Sequence, residues 1–217
     1  MFIGHHAIGF AAKPLTPNTS LAALIAAPIL LDLLWPIFVL AGIESFRIVP
    51  GTTAVTPLAF DHYPWSHSLL MSIVWAALFG GAYWIVARNR RGAIVLAMLV
   101  VSHWLFDAIV HVPDLPLMPG SEVEIGLGLW RSVAGTFALE IAIFAAGVWL
   151  YLKSTERRDR IGAIALWAFV AFDLIVYLGN VFGPPPPSER AVAWVALLAL
   201  LFPMWGAWID RHRRAIS

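Results

Sequence analysis

Apolar residues arrive in long blocks rather than in strict alternation. Six such runs, at about 20–42, 66–87, 92–111, 132–153, 161–182 and 190–209, each approach the roughly 20 residues a helix needs to cross a hydrocarbon core. The breaks between them differ in charge. Arg88, Arg90 and Arg91 follow the second run, and Lys153, Arg157, Arg158 and Arg160 the fourth. Arg211, Arg213 and Arg214 follow the sixth, and Lys13 precedes the first. The breaks at 43–65, 112–131 and 183–189 hold only Arg47 and Arg131, with Arg190 opening the last run. Because Lys and Arg stay on the cytoplasmic side, this asymmetry predicts both termini in the cytoplasm and the poorly charged breaks outside. Residues 2–12 are too short to span and are expected either to dip into the bilayer against other helices or to lie at its surface. The pattern thus predicts an all-α membrane protein: one domain, a bundle of about six transmembrane helices with a short, re-entrant or interfacial, N-terminal helix.

Composition agrees. Of 217 residues, 60% are apolar and only 12% charged, about half the charge of an ordinary soluble domain. The 11 Trp and 13 Phe suit a protein with aromatic side chains near the membrane surfaces. The basic residues cluster at helix ends rather than on one face, so no nucleic-acid surface is expected. There is no cysteine, which removes disulfides, thiolate-held zinc, iron–sulfur clusters and thiol nucleophiles. Any metal must therefore be held by His and carboxylate. The start lacks a basic stretch followed by a cleavage site, so no removable signal peptide is expected. No internal repeat is evident, and the prolines at 184–187 read as a stiff external turn.

The third run carries the unusual chemistry. In Ser102–Asp114 (SHWLFDAIVHVPD), His103, Asp107 and His111 recur every fourth residue and so share one helix face. Asp114 joins that stripe only if the helix survives Pro113. Ionisable groups are costly inside a membrane and usually face a partner, a cavity or an ion. Counting up from the turn at 88–91 places His67 and His111 about 30 Å along, His103 about 17 Å and Asp32 about 18 Å, with His5 near 12 Å if residues 2–12 form a half-helix. His5, Asp32 and His103 then form a deep layer and His67 and His111 a shallow one about 12 Å away, with Asp107 between. That separation predicts two sites, or one site with a surrounding shell of acid–base groups.

The metal candidates are His5, Asp32, His67, His103, Asp107 and His111, and the catalytic acid–base candidates are Asp107, His111 and Glu140. Imidazole and carboxylate suit zinc, manganese or iron without sulfur. A divalent ion with an open position makes bound water acidic, and a nearby Asp or His can then move protons. His6 rivals His5. Asp61 and His62 are assigned to a wet loop, and Asp173 to a local bond with backbone or Asn180. The GLGLWRS stretch is either a flexible lip permitted by Gly126 and Gly128 or the opening turn of the fourth span. Blander roles stand beside these: an interhelical hydrogen-bond network for the stripe, a surface position near Trp65 for His67, and a kink near Pro28 or Pro36 for Asp32.

Four motifs carry a resemblance: a His near the start followed by Gly (His5 and Gly9), Asp32 in LLDLLWP, His67 in YPWSHSL, and SHWLFD. Together they resemble the bacterial inner-membrane family of predicted membrane-bound metal-dependent hydrolases. The likeness covers about residues 4–114, with GLGLW at 126–130 beyond it. It implies metal ligation by His5, Asp32, His67, His103 and Asp107. In many relatives the second motif reads His-Arg-x-x-Thr-His-Ser. Here His62 keeps its spacing, but Tyr63 replaces the Arg and Ser66 the Thr, which removes an Arg that would clamp phosphate.

The expected function is a membrane-embedded, metal-dependent hydrolase. It would act on a lipid or lipid-like ester or phosphoester near the outer leaflet, with zinc the first choice of metal. A proton- or divalent-ion-conducting transporter built on the same stripe is the alternative, weakened by the lack of an inverted repeat. A non-catalytic membrane subunit is the third.

Overall fold

The computed structural model describes residues 1–216. The chain opens with α1 (Ile3–Ala11), a short 3-10 turn, α2 (Leu21–Ala26) and α3 (Leu30–Leu40). A hairpin of β1 (Ser45–Ile48) and β2 (Leu58–His62) leads through α4 (Pro64–His67) into α5 (Leu69–Ala87) and α6 (Arg90–Val110). The short strands β3 (Leu115–Pro116) and β4 (Glu124–Ile125) pair before α7 (Val133–Ser154). After β5 (Thr155–Arg157) come α8 (Arg160–Phe182), α9 (Glu189–Ala196) and α10 (Leu201–His212), and β6 (Arg213–Ala215) closes on β5.

Five helical stretches among the described residues are long and apolar enough to cross a membrane: α5, α6, α7, α8 and the run Glu189–His212. Side chains such as Leu78, Ile85, Ile164, Ile175 and Met204 stay exposed on them, as a lipid-facing surface requires. Ser68, Asn89, Ser132, Asp159 and Ser188 each accept a bond from a first-turn N–H of the helix that follows, which fixes where five helices begin.

The first expected span, 20–42, is not one helix. It breaks at 27–29 between α2 and α3, because Pro28 has no N–H to give and its ring crowds the preceding turn. Pro36 is tolerated inside α3. The second span also starts later than expected. Ser68 is extended (ψ 154°) and begins α5, so residues 64–67 form a separate turn set against it. The 43–65 break, read as loop, contains the β1–β2 hairpin. At its exposed end Arg47 donates to both Asp61 oxygens at 2.8 and 2.7 Å. This holds the Asp61 carboxyl below its ordinary range. His62 is exposed beside it.

The breaks sort to two ends. At one, Tyr83 and Asn89 bond Thr19, Lys13 lies 3.5 Å from Asp210, and β5 pairs with β6. At the other, Leu70 bonds Leu117, Ala54 bonds Trp130 and Ile48 bonds Glu189. All the arginine-rich breaks lie at the first end.

Helix α1 is not a surface helix. Ile3, Ala7 and Phe10 are fully buried, and Phe10 meets Tyr151 and Phe169 edge-on at 5.2 and 5.3 Å. Two glycines permit this insertion: a methyl group on Gly9 would strike the Leu24 carbonyl, and one on Gly147 the Ala7 carbonyl. Small residues let helix backbones approach closely where lipid leaves no other driving force.

Candidate metal centre

Two histidines face each other at the centre of the cluster. His67 Nε2 and His103 Nε2 are 3.2 Å apart, and Asp32 Oδ1 lies 3.5 Å from the first and 3.8 Å from the second. On the other side of His103, Asp107 Oδ2 stands 3.0 Å away. The second Asp107 oxygen is 3.0 Å from His5 Nε2 and 2.5 Å from the Met1 amino group. The His5 ring stacks on His103 at 3.9 Å. Two ligand sets result, His5–His103–Asp107 and Asp32–His67–His103, and they share His103.

Local structure explains this convergence. The break at 27–29 frees the Pro28 carbonyl, which accepts from His103 Nδ1–H at 2.7 Å. A carbonyl can only accept, so His103 carries a proton on Nδ1, and its Nε2 faces inward. Asp32 occupies the first turn of α3, where the helix N-terminus favours negative charge. The turn at Ser68 carries His67 inward. Counting along an uninterrupted helix had set His67 about 12 Å from His103's layer; the break corrects that, and the two belong to one layer.

His103 Nε2 therefore has both His67 Nε2 and Asp107 Oδ2 within 3.2 Å. An imidazole proton on one of the two nitrogens, or a metal ion, would join them, and the Met1 amino group already faces the far oxygen of Asp107. The donor set of imidazoles and carboxylates fits a divalent ion. His5 Nδ1 is buried and has no partner among the described residues, so that ring is held from one side only. The cluster is otherwise buried except at Asp32, whose side chain is 42% exposed. That leaves one open side.

The remaining candidates lie around this core. Helix α6 ends at Val110, and Asp114 curls back to accept from His111 Nδ1 at 2.9 Å and from the Tyr63 hydroxyl at 3.1 Å. His111 Nε2 is 3.8 Å from Asp107, so His111 borders the cluster and belongs to neither ligand set. Trp130 packs over His111 at 4.1 Å. Leu127 and Gly128 donate to the carbonyls of Ala108 and His111, satisfying the end of α6. The GLGLW stretch is thus a bonded cover rather than a loose lip, and a methyl group on Gly126 would strike the Val112 carbonyl.

Glu140 accepts from the backbone N–H groups of Phe2 and Gly4 at 2.8 and 3.2 Å. It caps α1 and makes no hydrogen bond to the cluster. Asp173 pairs with His6 at 2.9 Å, not with Asn180, so His5 alone of the two neighbours reaches the cluster. Sequence reasoning missed Glu44 and Ser66, which hold His67 from behind; only the YPWSHSL motif hinted at Ser66.

No protein-family model, curated protein or solved structure matches the chain. The apolar helical bundle and its buried His/Asp cluster define a membrane protein with a candidate metal site, and its role rests on that geometry.

Proposed function

We propose that the chain is a membrane-embedded, metal-dependent hydrolase acting on an ester or phosphoester of a lipid or lipid-like molecule. One observation carries this reading: the Nε2 atoms of His67 and His103, 3.2 Å apart and flanked by Asp32 and Asp107, around a side that stays open. His5, Asp32, His67, His103 and Asp107 would hold the ion, zinc first, with manganese or iron also suited to these donors. A divalent ion there supplies a polarising charge and water acidic enough to attack near neutral pH. Asp32 borders the open side, where a substrate's polar group would enter. His111, oriented by Asp114 and beside Asp107, is placed to carry a proton between the cluster and the outer end. Burial of His103 and Asp107 excludes bulk water from the inner face, which strengthens every charge interaction made there.

In this reading the chain makes six passages, the first built from α2 and α3, and α1 is a re-entrant helix. The arginine-rich end, which carries β6, faces the cytoplasm, whereas the Met1 amino group lies in the cluster on Asp107 rather than at that end; the motif resemblance supports a bacterial inner membrane. The cluster then lies in the outer half of the bundle, about 17 Å from the arginine-rich turn.

The test is elemental analysis of purified protein alongside hydrolysis of ester and phosphoester lipids in mixed micelles. Stoichiometric metal and turnover, both lost in His103→Ala and Asp107→Ala, support the proposal. A metal-free, fully stable and inactive protein refutes it. A proton or ion pathway is the second reading, favoured by the contact chain Asp32–His67–His103–Asp107–His111–Asp114. Flux through proteoliposomes that His103→Ala abolishes, without hydrolysis, would select it.

A further inference from the structure

Behind His67 lies a second line of polar groups that the proposed reaction does not use. Glu44, in the turn between α3 and β1, is buried, as is Ser66. Glu44 Oε1 accepts from the backbone N–H groups of Trp65 and Ser66 at 2.9 and 2.8 Å. Its Oε2 lies 2.7 Å from Ser66 Oγ, and Ser66 Oγ lies 2.7 Å from His67 Nδ1. A carboxylate accepts and has nothing to give, whereas a hydroxyl has a single proton. With that proton directed to Glu44, Ser66 Oγ must accept from His67. The proton of His67 is then on Nδ1, and the Nε2 lone pair faces His103 and Asp32.

The geometry points to Glu44 as a positioning residue that fixes the His67 tautomer through Ser66 and so prepares Nε2 to ligate a divalent cation. The Pro28 carbonyl does the same for His103 by a direct bond. Two unrelated segments thus impose one tautomer on two facing imidazoles, as ligand-orienting partners do around metals. This inference rests on the metal reading for its use, and on hydrogen-bond polarity alone for its geometry.

Glu44 also caps α4, so the test must separate orientation from support. Glu44→Gln keeps an acceptor for Trp65 and Ser66 and places an NH2 group against Ser66 Oγ. The Ser66 proton then turns to His67 Nδ1 at 2.7 Å, nearer than the Tyr63 carbonyl at 3.4 Å, and drives the ring to its Nε2–H form. The experiment is 15N NMR of histidine-labelled, metal-free protein in detergent, together with zinc affinity by chelator competition and thermal melting. The expected result is an Nδ1–H His67 in the wild type and an Nε2–H His67 in Glu44→Gln. Zinc affinity should fall about 10–100-fold, the usual cost of losing such a partner, at an unchanged melting temperature. Should Glu44→Gln not fold, Ser66→Ala is read in the same way, with loss of the fixed Nδ1–H form and the same fall in affinity. A wild-type His67 in the Nε2–H form overturns the inference, as does a variant with unchanged tautomer and affinity. If the wild type binds no zinc, the metal reading fails while the tautomer measurement still decides the role of Glu44.

Discussion

His5 and His6 are consecutive in α1 yet serve opposite sides of the bundle. His5 lies 3.0 Å from Asp107 on α6, and His6 lies 2.9 Å from Asp173 on α8. The 100° step between helical neighbours accounts for the divergence. One histidine joins the proposed chemistry and the other anchors the helix that carries it. His6→Leu leaves the Asp173 carboxylate buried without its partner, and the expected loss is about 3–5 kcal/mol. Thermal melting in detergent reads that loss, and zinc content of the folded fraction should not change. Loss of zinc at full stability would move His6 into the metal site.

His103 is the shared member of both ligand sets, so its removal is expected to cost more than removal of either outer ligand. His103→Ala should weaken divalent-metal affinity by more than the roughly 100-fold upper range seen for outer-shell partners. His5→Ala should leave measurable binding, since Asp32, His67 and His103 remain together. Isothermal titration with zinc ranks the two variants, and the reverse order would contradict the shared-ligand geometry.

Glu140 supports α1 by accepting two backbone N–H groups. Glu140→Ala orphans both donors and should cost about 1–3 kcal/mol. Glu140→Gln retains an acceptor and should restore most of that stability together with activity. A Gln variant that is stable, binds metal and is inactive would instead make Glu140 a proton-transfer residue.

Gly147 sets the distance between α1 and α7. Gly147→Ala places a methyl group against the Ala7 carbonyl, and overpacking of this kind typically costs about 1–3 kcal/mol. Because His5 travels with α1, metal affinity should fall as well, although residue 147 touches no ligand. A wild-type melting temperature would show that the two helices do not meet so closely.

Asp61 sits outside the cluster, paired with Arg47 at the exposed hairpin. Arg47's hydrogen bonds lower its pKa. A carboxyl whose folded pKa is depressed adds stability above its unfolded pKa and loses it as pH falls through the folded value. Exposure screens the pair, so Asp61→Asn should change the melting temperature little at any pH. Metal content should be untouched, and its loss would return Asp61 to the site.

Much of this was legible in the sequence. Block hydropathy located the five long helices within a few residues, and the four-residue spacing of His103 and Asp107 placed both on one buried face of α6. Depth counting failed at His67 because it assumed an unbroken helix through Ser68. The sequence offered Asp173 only a local bond to backbone or Asn180, because its partner, His6, lies 167 positions away. The short strands β3, β4, β5 and β6 carry too few residues to show an alternating pattern. Glu44 had no local signal: its meaning comes from Ser66, which the chain reaches only after a hairpin.

The deep seat of α1 also orders the birth of the centre. Every proposed ligand is contained in residues 5–107, but the helix bearing His5 rests on Gly147 of α7 and is tied to Asp173 of α8. Helix α1, which precedes α7 and α8 in the chain, must therefore wait for both before it has a place to lodge. A nascent chain halted just after Asp114 would own all five donors and still lack the scaffold that brings the first of them to the rest.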